Sequence, residues 1–205
     1  FKCTLVYALW DEEEIGLYGS RYYANEASKN QEDIKGVINI DMIGWDGNED
    51  RYFDIHSRNI ANSDSLASIL LINNSLYDLK LNPVIYNPGT TRSDHKPFWD
   101  RGYSAVLLIE GYYAGDLNPF YHSSDDRIDK FDLNYFHDLS KLAIGTISEL
   151  ANTIEDTLQE ELPKEFYLEQ NFPNPFNMTT AIGYQLSAIS DVELSVYNLL
   201  GQKVV

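Results

Sequence analysis

Lys35-Gly-Val-Ile-Asn-Ile-Asp41-Met-Ile-Gly44 reads as a short apolar strand that ends on a single carboxylate and turns at a glycine. Around it, short β-rich runs alternate with helical patterns from residue 1 to about 155, the pattern of a layered α/β domain with a largely parallel sheet. Upstream, residues 4–9 predict a strand that leads through a Gly-punctuated turn into a helix beginning near Ser20. Downstream, strands are expected at 52–56, 83–86 and 105–109. Helices are expected at 63–77, 96–101 and 133–154, the last with Phe136, Leu139, Leu142, Ala143 and Ile147 at helical spacing.

At roughly 150 residues per domain, 205 residues predict one moderate domain plus an appendage. The acidic, Pro-ended segment 155–165 reads as a linker between a domain at 1–154 and a smaller piece at 166–205. In that piece 181–186 and 192–197 alternate apolar and polar as antiparallel strands do. It reads as a truncated β-sandwich module. Both ends of the chain fall inside strand patterns and are expected to be cut from a longer protein.

Fifteen Lys and Arg against 32 Asp and Glu give a net charge of −17, which repels the phosphate backbone and excludes nucleic acid as a partner. No stretch reaches the roughly 20 apolar residues of a membrane-spanning helix. The lone Cys3 forms no internal disulfide, and the absence of a Gly-x-Ser-x-Gly elbow disfavours a nucleophilic hydrolase.

Polar groups gather where strands end, since side chains there are held by a rigid sheet yet remain open to solvent. Four places qualify: Trp10-Asp-Glu-Glu-Glu-Ile-Gly-Leu-Tyr-Gly-Ser20, the strand-end Asp41, Gly89-Thr-Thr-Arg-Ser-Asp-His-Lys-Pro-Phe98, and Phe120-Tyr-His-Ser-Ser-Asp-Asp126. Carboxylates crowded in the first are costly near a core unless a cation sits among them, so it reads either as half of a metal site or as a solvated acidic turn. Asp41 reads either as a ligand or as a turn residue. His56 and His137 read as structural or surface residues.

Taken in order and at this separation, the four elements resemble those of the family M28 zinc aminopeptidases over most of residues 1–155. The resemblance implies a three-layer α/β/α zinc-exopeptidase fold with a mixed, mostly parallel sheet, two Zn2+ ions and peptide substrates. It puts Glu13 at the general base and Glu14, Asp41 and His122 at metal ligands. Arg92 and Tyr121 fall where a substrate carbonyl is polarised and its oxyanion stabilised, while Asp94 and His95 fall in supporting positions of the pocket. These residue types suit the chemistry: carboxylates and imidazole bind zinc, a carboxylate beside a ligand can carry the proton, and a cation and a phenol meet developing negative charge.

The family's upstream His and bridging Asp find no match in residues 1–9, so the chain as given is expected to bind zinc weakly and to be inactive. A glutaminyl cyclase on a similar fold, performing acyl transfer, is one rival; a non-catalytic peptide-binding surface protein is the other. From about residue 166, Tyr167-Leu-Glu-Gln-Asn-Phe-Pro-Asn-Pro-Phe176 and the residues after it resemble the start of a type IX secretion C-terminal sorting domain. That likeness implies a bacterial secreted or cell-surface protein whose tail engages the secretion machinery.

Overall fold

The structure is a computed structural model that describes residues 1–113 and 115–153, and of the remainder 167, 168, 170, 171, 183–185, 195, 202 and 203. The chain divides into two compact units, Phe1–Ile154 and Glu155–Val205.

In the first unit α1 (Tyr18–Lys29) precedes β1 (Val37–Ile40), β2 (Tyr52–His56), α2 (Ser63–Leu76), β3 (Asn82–Tyr86), α3 (Lys96–Trp99), β4 (Ala105–Glu110), a 3-10 turn at Ile128–Lys130 and α4 (Leu133–Thr153). The sheet order is β1-β4-β2-β3, with β1 parallel to β4 and β2 parallel to β3, while β2 and β4 run antiparallel. It is therefore the mixed, mostly parallel sheet that the sequence predicts. All six residues of β4 are buried. A central strand covered on both faces has no need of polar alternation, which is why 105–109 reads as one apolar run.

Alternation along the strands assigns the layers. Phe53, Ile55, Val106 and Leu108 face α2 and α4 in one cluster with Leu66, Leu70, Leu139 and Leu142. On the other face Ala105 packs with Ala24 of α1 and with Phe98 and Trp99 of α3, while Val37 lies partly buried against them. Helices thus cover both faces of one sheet, and the strand ends are left open for function.

Two expectations are corrected. Residues 4–9 do not form a strand: Val6, Tyr7 and Leu9 are exposed, and no described strand pairs with them. A strand needs a neighbour for its backbone groups, and apolar alternation alone cannot supply one. The segment's approach to the rest of the unit is marked by Lys2 and Cys3 N–H groups donating to Ala151 O. In α4 the core position is taken by fully buried Tyr135, whereas Phe136 is partly exposed. The Tyr135 hydroxyl donates to Tyr52 O at 2.6 Å, which satisfies its polar end and lets the ring enter the core.

In the second unit β5 (Tyr167–Leu168) pairs antiparallel with β6 (Tyr184–Gln185), inside the expected strand 181–186. The linker 155–165, the turn stretch 172–177 and all of 192–197 except Ser195 lie outside the described residues. Among the described residues no helix is long and apolar enough to cross a membrane.

Candidate active site

The acidic segment is folded into a tight turn before α1. Gly16 and Leu17 N–H groups both donate to Glu13 O, and Gly16 has φ +138°, a conformation open to glycine and strained for other residues. Gly19 permits a second close approach: its N–H donates to Asp11 O, and a Cβ there would lie 2.9 Å from Asp11 N and O. The turn leaves Glu13 half-buried and Glu14 exposed.

Strand β1 delivers Asp41, whose N–H is fixed to Leu108 O of β4. Ser93 Oγ donates to Asp41 Oδ2 at 2.8 Å and accepts from Asn39 Nδ2 at 2.8 Å, so one hydroxyl ties β1 to the loop before α3. In the same loop the buried Asp94 carboxylate accepts a hydrogen bond from Ser20 Oγ. His122, at φ +58°, brings Nε2 to 2.8 Å from Glu14 Oε1, and the Tyr121 ring stacks on it with centroids 3.8 Å apart.

Charge ties these groups together. Partial burial pushes the Glu13 carboxyl up to about 7, reinforced by the carboxylates of Asp41, Glu14 and Asp94 and opposed by His122. Burial also raises Asp41, with Glu14 adding to it and the Ser93 hydrogen bond opposing; Asp94 is raised by burial and by Asp41. The Tyr121 hydroxyl is pushed up by burial and then by Glu14, Tyr112, Asp41 and Glu13, so it keeps its proton. Four carboxylates, an imidazole and a phenol share one field with a strong excess of negative charge.

Of the residues predicted from sequence, Glu13, Glu14, Asp41, Asp94, Tyr121 and His122 are therefore brought within each other's influence. Arg92 is exposed and makes no hydrogen bond or ion pair among the described residues. His95 is fully buried, with Nε2 against Thr90 O at 2.9 Å and its ring edge-on to Trp99; burial pushes it down to about 4, so it is neutral. His56 is buried beside Asp54 and accepts from Thr90 N, and His137 lies at the surface against Asp138, both as structural residues. Sequence reading missed Ser93 and Ser20. Both sit within the four strand-end elements, but their hydroxyls carry no signal until the partner carboxylates are in place.

Among the described residues no three His, Cys, Asp or Glu side chains are gathered closely enough to hold a metal ion. The donor chemistry nonetheless fits zinc. An imidazole nitrogen touches a carboxylate oxygen, and a further strand-held carboxylate lies in the same anionic field, which a divalent cation would neutralise.

The sequence matches the profile of Peptidase family M28 over residues 1–147. A probable leucine aminopeptidase of Arthroderma benhamiae is 26% identical over 147 residues, covering 72% of this chain and 39% of that protein. A zinc aminopeptidase from Bacillus subtilis shares the fold at a TM-score of 0.59 and 20% identity, over 68% of this chain and 34% of that one. Glutaminyl cyclase from Porphyromonas gingivalis shares it at a TM-score of 0.51 and 17% identity, over 70% and 52%. The chain spans about two fifths of the length of the curated relative it matches. With the profile covering well over half of its residues, the chain belongs to peptidase family M28.

Proposed function

We propose that the chain carries part of the catalytic site of a zinc-dependent exopeptidase that removes N-terminal residues from peptides. The observation that carries the reading is the contact of His122 Nε2 with Glu14 Oε1, across 108 positions of sequence, amid the carboxylates of Glu13, Asp41 and Asp94. The leucine aminopeptidase relative and the zinc aminopeptidase fold support the same class.

Glu14, Asp41 and His122 are the residues that would hold zinc. When bound, zinc supplies Lewis acidity and makes water acidic enough to lose a proton near pH 7. Glu13, beside Glu14 in sequence, takes the proton from the attacking water and returns it to the leaving amine. A carboxyl at about 7 is matched to both transfers, a step worth about 10²–10⁴-fold. Tyr121, held protonated, donates to the oxygen that gains charge on the substrate carbonyl, and the Arg92 cation is assigned the same task. Asp94, fixed by Ser20, keeps Glu13 basic, while neutral His95 braces the loop that carries Ser93 and Asp94.

Three donors are fewer than two four-coordinate zinc ions require, so these 205 residues alone are expected to bind zinc weakly and to turn over little aminoacyl substrate. The tail reading completes the proposal: export by type IX secretion to the outside of a bacterial cell, with the C-terminal module engaging the export machinery. A glutaminyl cyclase is the second reading, favoured by the shared fold alone.

Calorimetric titration with zinc tests the donor set. His122→Ala and Asp41→Asn are each expected to weaken the affinity at least about tenfold; unchanged affinity in both would overturn it. In the full-length enzyme, Leu derivatives are expected to be hydrolysed and N-terminal Gln derivatives not to be cyclised, the opposite result establishing the cyclase.

A further inference from the structure

Tyr121 and His122 stand in the loop 111–127, between β4 and the 3-10 turn, whereas Asp41 begins the loop 41–51, between β1 and β2. The two loops leave neighbouring strands, so the spacing of the site's groups depends on how one loop is held to the other. Trp45 is where they meet. Its N–H donates to Glu110 Oε2 at 2.9 Å, at the root of the second loop, and its indole Nε1 donates to Asp116 Oδ1 at 3.1 Å. Its ring meets that of Phe120, the residue before Tyr121, edge-on with centroids 5.8 Å apart.

Asp116 carries most of this junction. Besides the indole, the N–H groups of Gly47 and Asn48 donate to its Oδ2 at 2.8 and 3.3 Å, so one carboxylate takes three hydrogen bonds from residues 68 to 71 positions away. Every partner is a donor. A carboxylate meets that demand because it accepts at both oxygens, whereas an amide would turn its own N–H toward one of the donors. Hydrogen bonds to an ionised acceptor are also roughly twice as strong as neutral ones. The facing loop is shaped for the contact: a Cβ at Gly47 would lie 2.7 Å from the Trp45 ring, so glycine lets the backbone close over the indole. Asp116 holds its place against the local field. Burial first, and then neighbouring carboxylates that include Asp116, push up both Asp46 and Glu110.

From Asp116 the chain reaches the site through a turn with little freedom. Asn118 is buried; its Oδ1 accepts from Phe120 N at 2.9 Å, its Nδ2 donates to Asp126 Oδ1 at 3.1 Å, and its carbonyl accepts from Tyr121 N at 3.1 Å. Ser123 N donates to Phe120 O at 2.9 Å, which closes the turn around His122 at φ +58°. A shift at Asp116 is therefore passed on to Tyr121 and His122 instead of being absorbed on the way.

We propose that Asp116 is a positioning residue of the exopeptidase site: by holding Trp45, Gly47 and Asn48 it sets where Tyr121 and His122 stand relative to Asp41. The inference rests on the function proposed above, and Asp116 acts only through the loop.

Three variants of the full-length enzyme test it, with Leu derivatives as substrates at saturating zinc. Asp116→Ala removes all three hydrogen bonds, Trp45→Phe removes the indole bond and keeps a ring, and Asp116→Asn keeps one acceptor oxygen. In Asp116→Ala kcat is expected to fall about 10–100-fold with KM little changed. Trp45→Phe and Asp116→Asn should lose less, and they decide the matter if Asp116→Ala fails to fold. The W45F/D116A double variant should be no slower than Asp116→Ala, since one contact can be lost only once. A lowered Tm with parent-like kcat below it would overturn the proposal, as would losses that multiply in the double variant. In the 205-residue chain, amide exchange at Tyr121 and Ser123 should be at least about tenfold faster in Asp116→Ala, with β4 unchanged. Parent-like exchange there would overturn the proposal whatever the enzyme hydrolyses. Faster exchange, in a protein whose full-length parent hydrolyses no aminoacyl derivative, would support the hold of Asp116 on the loop and overturn the exopeptidase reading instead.

Discussion

Glu110 closes β4 with a carboxylate that is 1% exposed, its Oε2 accepting from Trp45 N at 2.9 Å, its Oε1 buried and unpartnered. It thereby clamps the loop that follows Asp41 to the central strand. Burial pushes it up to about 7, with the backbone of Trp45 and Gly44 opposing and Asp126 and Asp116 adding. Folded Glu110 keeps its proton to higher pH than it does in the unfolded chain. The native state consequently binds more protons between about 4.5 and 7, and stability falls as pH rises through that window. Urea unfolding across this range should show a decline that is smaller in Glu110→Gln by up to about 3 kcal/mol; identical pH profiles for the two proteins would refute the assignment. Asp41, Glu13 and His122 were singled out in sequence because they stand in polar elements at strand ends, and the roles proposed for them came from the resemblance to family M28. Glu110 was not, as it reads there as the mere end of an apolar run, and its role depends on which loop the sheet folds against it.

At the scale of elements, the junction between the acidic turn and α1 rests on Gly19. Helix propensity alone predicts that Ala would stabilise this helical position by about 1 kcal/mol. Packing predicts the reverse, since the added Cβ would meet Asp11 N and O at 2.9 Å, and neither is the end of a flexible side chain. The helix would have to back away from the turn, at about 1–3 kcal/mol, carrying Glu13 and Glu14 with it. Gly19→Ala is therefore expected to lower the urea midpoint and to weaken zinc binding, while a raised midpoint would mean that the turn yields freely. The elements themselves were largely readable: β2 falls on the residues expected, α2 ends one residue short of its predicted bound, and α4 begins where expected and is helical through Thr153. These segments bury a face against neighbours within the same unit, so their periodicity and their fate agree. Residues 4–9 carry an equally strong strand pattern, but pairing is a property of two segments and a single one cannot declare it.

For the molecule as a whole, the dominant electrostatic term is the imbalance of 32 acidic against 15 basic residues. Several basic side chains are already engaged, as in Lys29 with Glu26, Arg51 with Asp138 and Lys130 with Asp129, so the unpaired charge is overwhelmingly negative. The exposed pairs among them are each worth about 0–1 kcal/mol and salt weakens them, which alone would make the protein less stable as ionic strength rises. Repulsion among the excess carboxylates acts the other way and is relieved once the Debye length shrinks from about 30 Å at 0.01 M to about 8 Å at 0.15 M. With acidic residues outnumbering basic ones by two to one, relief of repulsion should win, and the urea midpoint should rise with sodium chloride over this range. A midpoint that falls with sodium chloride would place the balance with the ion pairs, and would mean that the native carboxylates are spaced widely enough not to repel.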